Sequence, residues 1–354
     1  MIKIEGLKLD FPGRLAIFID KLSIGEGNIF TIIGPNGAGK STFLNIVALF
    51  QEPDKGTIEI WGKNILNLKD KLAFRRKISF IFPQPYLFNE TVYNNIAVPL
   101  RLRGMRDIRA VDEMLDLFKI GHLKANRAHT LSQGEMHRVA LARAFVTQPK
   151  LVLLDEPFLS LDVRFKESLI NDLLKIVRFN KITAIFVTQD QSEALALSDT
   201  IAVMMDGKIL QLSSPEDIFT RPGSREIADF VGIETIIEGL ISRKEDNLCF
   251  IKVRGGILEA VSGYNEGDDV FVCIRPEDVV ISRHADSNSA RNHFKASITN
   301  IEPWRLEYKL NLDCGFNLVA SVTRQSIENL NLKIDEEVFV SFKATATHLI
   351  KRGI

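Results

Sequence analysis

Gly34-Pro35-Asn36-Gly37-Ala38-Gly39-Lys40-Ser41-Thr42 follows the apolar run Ile29-Phe30-Thr31-Ile32-Ile33 and opens a stretch of helical periodicity. Residues 34–41 of this stretch fit G-x-x-x-x-G-K-[ST], in the strand–loop–helix setting that the pattern needs. Glycines let successive backbone N–H groups curl around phosphate oxygens, and the helix start adds partial positive charge. Lys40 is expected to reach the β and γ phosphates of a nucleotide, and Ser41 to ligate Mg²⁺.

Working outward, Leu151-Val152-Leu153-Leu154 is a second apolar run and ends in Asp155-Glu156-Pro157. Asp155 suits the Mg²⁺ water shell, and Glu156 stands where a base could polarise an attacking water. Alone, such an acidic pair is commonly a turn or a helix cap. Its meaning here comes from the upstream loop. Ile78-Ser79-Phe80-Ile81-Phe82 and Thr183-Ala184-Ile185-Phe186-Val187 are further continuous apolar runs. Runs of this kind separated by helical stretches predict a mostly parallel sheet in an α/β domain. A helical stretch beginning at Pro215 closes near Gly232. Beyond it, Val270, Val272, Ile274 and later Val338, Val340, Phe342 alternate with other residues between Gly-rich and acidic turns. That pattern predicts a small all-β barrel. The expected division is 1–232 and 233–354.

Composition narrows the function. Of 354 residues, 45 are Lys or Arg and 45 are Asp or Glu, with 45% hydrophobic. A neutral chain of this kind argues against a dedicated nucleic-acid binder. Residues 233–354 hold 15 basic and 18 acidic residues (net −3), and residues 1–232 hold 30 and 27 (net +3). Neither imbalance names a partner. No apolar run approaches the about 18 residues of a membrane-spanning helix, and the start lacks a signal-peptide core. Cys249, Cys273 and Cys314 are far apart and are read as small packed groups in a reducing compartment. No low-complexity tract or strong short-period repeat is visible.

With these motifs in order, the chain resembles the ATP-binding-cassette family over about residues 1–232. Leu131-Ser132-Gln133-Gly134-Glu135 is similar to the family signature, with Gln133 and Glu135 replacing a commoner Gly and Gln. Ser160-Leu161-Asp162 matches the D-loop, and Gln84 matches the Q-loop glutamine. The resemblance implies that Gln84 helps hold the metal and the attacking water, and that Phe11 lies against adenine. It implies a P-loop NTPase fold with a helical subdomain at about 85–150, and ATP with Mg²⁺ as cofactors. It also implies a head-to-tail homodimer, in which the signature of one subunit touches the γ-phosphate held by the other. Gln189, in Val187-Thr188-Gln189-Asp190, stands where the family usually has histidine. Glutamine can donate to the γ-phosphate but cannot be protonated, so hydrolysis is expected to persist through Glu156 at a lower rate. A rise in turnover in Gln189→His would show that this residue is limiting.

The resemblance further implies partners. The helical subdomain docks an integral-membrane permease, and Arg101, Arg103, Arg106 and Arg109 are candidate contacts. A periplasmic or extracellular solute-binding protein acts indirectly, and the chain sits on the cytoplasmic face of the membrane. Val272-Cys273-Ile274-Arg275-Pro276-Glu277-Asp278 resembles barrel domains attached to importer ATPases generally. Ser289-Ala290-Arg291-Asn292 and Phe342-Lys343-Ala344-Thr345-Ala346 are similar to the opening and closing strands of molybdate/tungstate-binding (mop-like, or TOBE) barrels, over about 286–352. Ser289, Arg291, Asn292, Lys343 and Thr345 offer the hydroxyls, amide and cations that a tetrahedral oxyanion needs. The implied activity is ATP hydrolysis driving import of tungstate or molybdate. Oxyanion on the barrels would hold the ATPase halves apart in a replete cell. A sulfate, sugar or other solute importer shares every ATP-site motif, and an oxyanion sensor or store with weakened ATPase is a third reading. Two-cassette soluble ATPases fit poorly, since one set of motifs is present.

Overall fold

The computed structural model describes residues 2–159, 161–284, 289–304 and 306–352. The chain divides into two compact units, Met1–Glu216 and Asp217–Ile354. The division falls inside the first of the two helices that precede Gly232 rather than after them. The reason is packing: Ala228 and Ile233 lie in one apolar cluster with Cys273 and Ile350, and a His348 ring nitrogen contacts the Pro222 carbonyl oxygen at 2.9 Å.

The first unit is built on one ten-stranded sheet. Its strands are β1 (Ile2–Phe11), β2 (Arg14–Ile24), β3 (Ile29–Ile33), β4 (Lys55–Ile60), β5 (Lys63–Asn64), β6 (Ile78–Ile81), β7 (Leu151–Asp155), β8 (Thr183–Thr188), β9 (Thr200–Met205) and β10 (Lys208–Ser213). They lie in the order β5-β4-β1-β2-β10-β9-β3-β8-β7-β6. The expected parallel part is β9-β3-β8-β7-β6. Every residue of β3, β7 and β8 is buried, which explains their unbroken apolar runs. The other strands pair antiparallel, apart from one parallel β10–β2 bridge. The expectation of a mostly parallel sheet therefore holds for half of it. β1 alternates Ile2, Ile4, Leu7 and Leu9 inward with Lys and Glu outward, a half-buried pattern that carries no long apolar run.

Helices α1 (Lys40–Val47), α2 (Lys71–Arg75), α3 (Val92–Leu102), α4 (Ile108–Leu117), α5 (Gln133–Phe145), α6 (Val163–Phe179) and α7 (Gln191–Leu197) complete the unit. They sort into two apolar clusters. One joins α1 to β1, β2 and β4, and the other joins α3–α6 to β7 and β8. The phosphate-loop residue Ala38 is in the first cluster and the signature residue Leu131 is in the second. Parallel register aligns Ile33 with Thr188, and Asp155 with Val187. The loops carrying Gly34, Glu156 and Gln189 thus leave one edge of the sheet, at the carboxyl ends of its strands.

The second unit opens with α8 (Pro215–Thr220, its first two residues in the first unit) and α9 (Arg225–Phe230). Ten strands follow: β11 (Thr235–Glu245), β12 (Leu248–Val253), β13 (Gly256–Val261), β14 (Asp269–Ile274), β15 (Val280–Ser282), β16 (Asn292–Trp304), β17 (Glu307–Asp313), β18 (Asn317–Thr323), β19 (Glu337–Phe342) and β20 (His348–Lys351), with α10 (Arg324–Leu330) between β18 and β19. Two antiparallel sheets, β13-β12-β11-β14-β20 and β15-β19-β16-β17-β18, share one core.

These two sheets are one pattern used twice. Asp269-Val270-Phe271-Val272 corresponds to Glu337-Val338-Phe339-Val340, and both strands show the same burial sequence. Each strand leads into a 3₁₀ turn, Pro276–Asp278 or Ala344–Ala346. The strand after each turn then crosses to the other sheet, β15 onto β19 and β20 onto β14. Register makes Thr235 equivalent to Asn292, since they oppose Ile274 and Phe342. Each bonds the other half: Thr235 Oγ1 accepts Val319 N–H (2.9 Å), and Asn292 Oδ1 accepts Glu259 N–H (2.7 Å). The repeat leaves no visible period in the sequence because few side chains are identical between the halves. Burial raises the thiol pKa of all three cysteines, to about 12 for Cys273 and Cys314, so they are inert packing groups.

Candidate nucleotide site

Gly34 turns the chain out of β3 where a Cβ would lie 2.0 Å from the Met204 carbonyl oxygen. Gly39 precedes α1 at φ +101°, where a Cβ would meet the Ala16 oxygen at 2.8 Å. Only glycine fits both positions. Lys40 is buried and donates from Nζ to the carbonyl oxygens of Gly34 (2.9 Å) and Pro35 (3.1 Å). Burial lowers its pKa, opposed by Glu156 and Asp155. Ser41 Oγ donates to Asp155 Oδ1 (3.0 Å), and burial raises the Asp155 pKa. Hydroxyl, carboxylate and ammonium thus converge at the mouth of the loop formed by residues 34–42.

Glu156 follows Asp155 at φ +43°, with its N–H on Val187 O (2.8 Å). Gln189 donates from Nε2 to Glu156 Oε2 (3.3 Å). The two residues nominated for hydrolysis therefore meet. Gln84 does not join them. It is exposed beyond β6 and makes no hydrogen bond to Ser41, Asp155 or Glu156. It lines an apolar groove instead. Phe11 ends β1, half-buried against the α1-side cluster.

The signature opens α5. Ser132 and Glu135 form a reciprocal cap: Glu135 Oε2 accepts from Ser132 N and Oγ, both at 2.8 Å, while Ser132 Oγ accepts Glu135 N–H (3.4 Å). Those bonds from Ser132 lower the Glu135 pKa. The S-x-x-E spacing is a capping-box signal that gives Glu135 a local reason. Gly134 has another: a Cβ there would lie 2.7–2.9 Å from the Phe165 ring. Leu131 and Gln133 flank this cap, and Leu131 is buried. Asp162 caps α6, accepting Phe165 N–H (3.0 Å), while Ser160 lies outside the described residues.

In the second unit, Ser289, Arg291, Lys343 and Thr345 line one open cavity of about 660 Å³. Asn292 does not join them. It is buried, and both ends of its amide clamp the Glu259 backbone. Its place in the candidate oxyanion set is corrected to that of a strut between the two halves. Arg291 pairs with Glu259 at 3.3 Å. Lys343 is exposed, with no ion-pair partner among the described residues.

The family model for ABC transporters matches residues 19–159, and that for the TOBE domain matches 288–349. The molybdate/tungstate import ATP-binding protein WtpC of Pyrococcus horikoshii is 38% identical, over 99% of both chains. The chain belongs to the ABC transporter family. The spermidine/putrescine import ATP-binding protein PotA of Mesorhizobium japonicum is 37% identical, over 90% of this chain and 87% of its own. Among solved structures, cbiO1 of Clostridium perfringens, part of the ABC transporter complex cbiONQ, superposes with a TM-score of 0.58. It has 28% identity over 66% of this chain and 94% of that one. An ATP-binding cassette in a dimeric post-hydrolysis state with ADP and Pi gives 0.56, at 28% identity over 61% and 99%. The first unit of this ABC protein is thus an ABC-type ATPase. Among the described residues no helix is long and apolar enough to cross a membrane.

Lys166, Asp190, Glu193 and Phe165 were not singled out from sequence. They carry no motif of their own, and only their shared contacts reveal them.

Proposed function

We propose that this ABC ATPase drives import of molybdate or tungstate through a membrane permease, and that oxyanion held in its second unit restrains it. The reading is carried by the cavity that brings together four predicted anion ligands, on a chain similar throughout to molybdate/tungstate import ATP-binding proteins. An unpaired Lys343 ammonium suits an oxyanion and repels the polyamines named in the next relatives. Asp246 and Glu245 also line the cavity, so the recognition is local rather than a broad positive field.

The internal repeat supplies a sharper prediction. Arg291 and Thr345 correspond by register to Glu234 and Glu277, and Lys343 to Arg275. Glu234 pairs with Lys309 (2.5 Å), and Arg275 pairs with Glu277 (3.5 Å). The first corner thus has its cations committed to its own acids, and one oxyanion is expected per chain. Calorimetry of the full chain with tungstate, molybdate, sulfate and spermidine tests this. We expect one tungstate or molybdate site, weakened at least about tenfold in Lys343→Ala by loss of a charge-assisted bond, and unchanged in Arg275→Ala. Binding of spermidine instead would reject the oxyanion reading. Added tungstate should also lower ATP turnover of the assembled importer.

At the ATP site, the geometry fits Mg²⁺. The Ser41 hydroxyl and Asp155 carboxylate are hard oxygens side by side, and a cation would relieve the raised Asp155 pKa. Held by Ser41 and Asp155, Mg²⁺ would supply positive charge against the developing phosphate charge. Lys40 turns from the loop carbonyls to the phosphates, Glu156 takes a proton from water, and Gln189 orients Glu156 and the γ-phosphate. Phe11 stacks the base. The capped start of α5, with Ser132, Gln133 and Gly134, faces the partner subunit's phosphates in a head-to-tail dimer. Separate apolar clusters behind the signature and the phosphate loop support that division of labour.

The permease contact is best assigned to the groove holding Gln84 rather than to a patch of arginines. It measures about 500 Å³ and is lined by Phe80, Phe82, Tyr86, Phe88 and Pro99 with Arg103 and Arg143. Of the predicted arginines, Arg103 reaches it, while Arg101 is bonded back to Asn94 O (3.0 Å). The groove sits beside the helical subdomain and suits an apolar helix face from a permease.

A further inference from the structure

The first turn of α6 touches two parts of the ATP site. Phe165 lies under Gly134 of the signature, with the Arg138 guanidinium 4.9 Å from its ring centroid. Lys166, the next residue, reaches the loop that carries Gln189. Its Nζ lies 2.6 Å from Glu193 Oε1 and also bonds the Asp190 carboxylate. Both acids are tied to the residues around Gln189. Asp190 caps α7, accepting Ser192 N–H (2.8 Å) and Glu193 N–H (3.1 Å). Thr188 Oγ1 donates to Glu193 Oε2 (2.6 Å) and accepts Asp190 N–H (3.0 Å). Glu156, Lys166, Thr188, Gln189, Asp190 and Glu193 all line one cavity of about 260 Å³.

We infer that Lys166 is a positioning residue for hydrolysis: by bridging Asp190 and Glu193 from the first turn of α6, it holds Gln189 on Glu156. Glu193 is buried, and Lys166 is the one cation paired with it among the described residues. Without that ammonium, two carboxylates are left side by side in a partly closed cavity. Their repulsion opens the segment 188–193, and Gln189 leaves Glu156. Phe165 sits on the same turn, so a shift of the signature is passed to the Gln189 loop through one rigid element. The inference rests on Glu156 being the base, which Glu156→Gln tests separately.

The experiment is steady-state ATP hydrolysis by the full chain assembled with its permease in lipid vesicles. Lys166→Met should lower kcat about 10- to 100-fold with KM for ATP within about twofold, because the reacting groups are misaligned while the phosphate loop is untouched. Lys166→Arg, which keeps the charge, should stay within about threefold of wild type. Adding Glu193→Gln to Lys166→Met should recover at least about threefold, since one of the opposed charges is gone. Should Lys166→Met not fold, Asp190→Asn weakens the same bridge and should lower kcat at least about threefold. An unchanged kcat per folded molecule in Lys166→Met, or in Asp190→Asn if the former does not fold, overturns the inference. So does a Lys166→Arg as slow as Lys166→Met. A normal kcat in Glu156→Gln would instead overturn the assignment of the base.

Discussion

Glu156→Gln lowers ATP turnover by about 10²–10⁴-fold, the range for loss of a general base, while ATP binding stays within about twofold of wild type. The substitution isolates the chemistry. Glutamine keeps the shape of glutamate and can still accept from Gln189 Nε2, which lies 3.3 Å from Glu156 Oε2. It cannot take a proton from water. The backbone is fixed independently, because Glu156 N–H is bonded to Val187 O at 2.8 Å. A non-glycine residue at φ +43° directly after a buried strand is unusual and costs about 1–3 kcal/mol, which the surrounding sheet must overcome. That conformation turns the carboxylate toward the Gln189 loop. Lys40 and Ser41 are untouched, so nucleotide affinity is kept. Phosphate release and nucleotide binding on the same preparation check both halves. Turnover within about threefold of wild type would assign the base elsewhere.

Asp172→Ala destabilises the first unit by about 3–5 kcal/mol, the usual penalty for leaving a buried charge without its partner. Asp172 Oδ2 accepts from Arg138 Nη1 (2.9 Å), and Oδ1 accepts from Lys119 Nζ (2.8 Å). Arg138 is buried and holds three further features together. Its guanidinium donates to Phe118 O (3.0 Å) and Ser168 Oγ (3.1 Å), and it stacks on Phe165. Without Asp172 it has no carboxylate among the described residues. Burial alone would raise the Asp172 pKa, but Lys119 and Arg138 outweigh it and the net shift is downward. A lowered folded-state pKa means stability that is present above the unfolded value of about 3.9 and is lost as pH falls through the folded value. Urea midpoints of wild type should therefore drop on acidification below about pH 4, and those of Asp172→Ala should drop less. Equal acid sensitivity in both would remove Asp172 from the account. Because Arg138 lies on the signature helix and Asp172 on α6, the same lesion should also slow ATP turnover.

The candidate ATP site is largely legible in the sequence because the chemistry it would carry is local. A loop that must wrap phosphate needs Gly34 and Gly39, where any Cβ would come within 3 Å of Met204 O and Ala16 O, and a lysine and a serine directly after Gly39. Those needs are met by consecutive residues, so they read as a motif. Asp155 and Glu156 were legible for the same reason, at the end of a strand buried along its whole length. What was not legible depends on residues far apart in the chain. The antiparallel half of the sheet carries no such signal, because β1 and β2 are half-exposed and alternate. Asn292 reads as an anion ligand by composition, yet its amide is spent on Glu259, 33 residues away. Gln84 reads as part of the catalytic set, yet it is exposed and lines the apolar groove beyond β6.

Nucleotide chemistry, the two-part organisation and the all-β character of the second part can be read without coordinates, since each rests on consecutive residues or on periodicity. The folded chain adds that the second unit is one pattern used twice with exchanged strands, and that its two corners differ in ion pairing. It alone brought Lys166 to the Gln189 loop. Strand exchange and ion pairing are set by register and packing between segments tens of residues apart, and no local pattern records them.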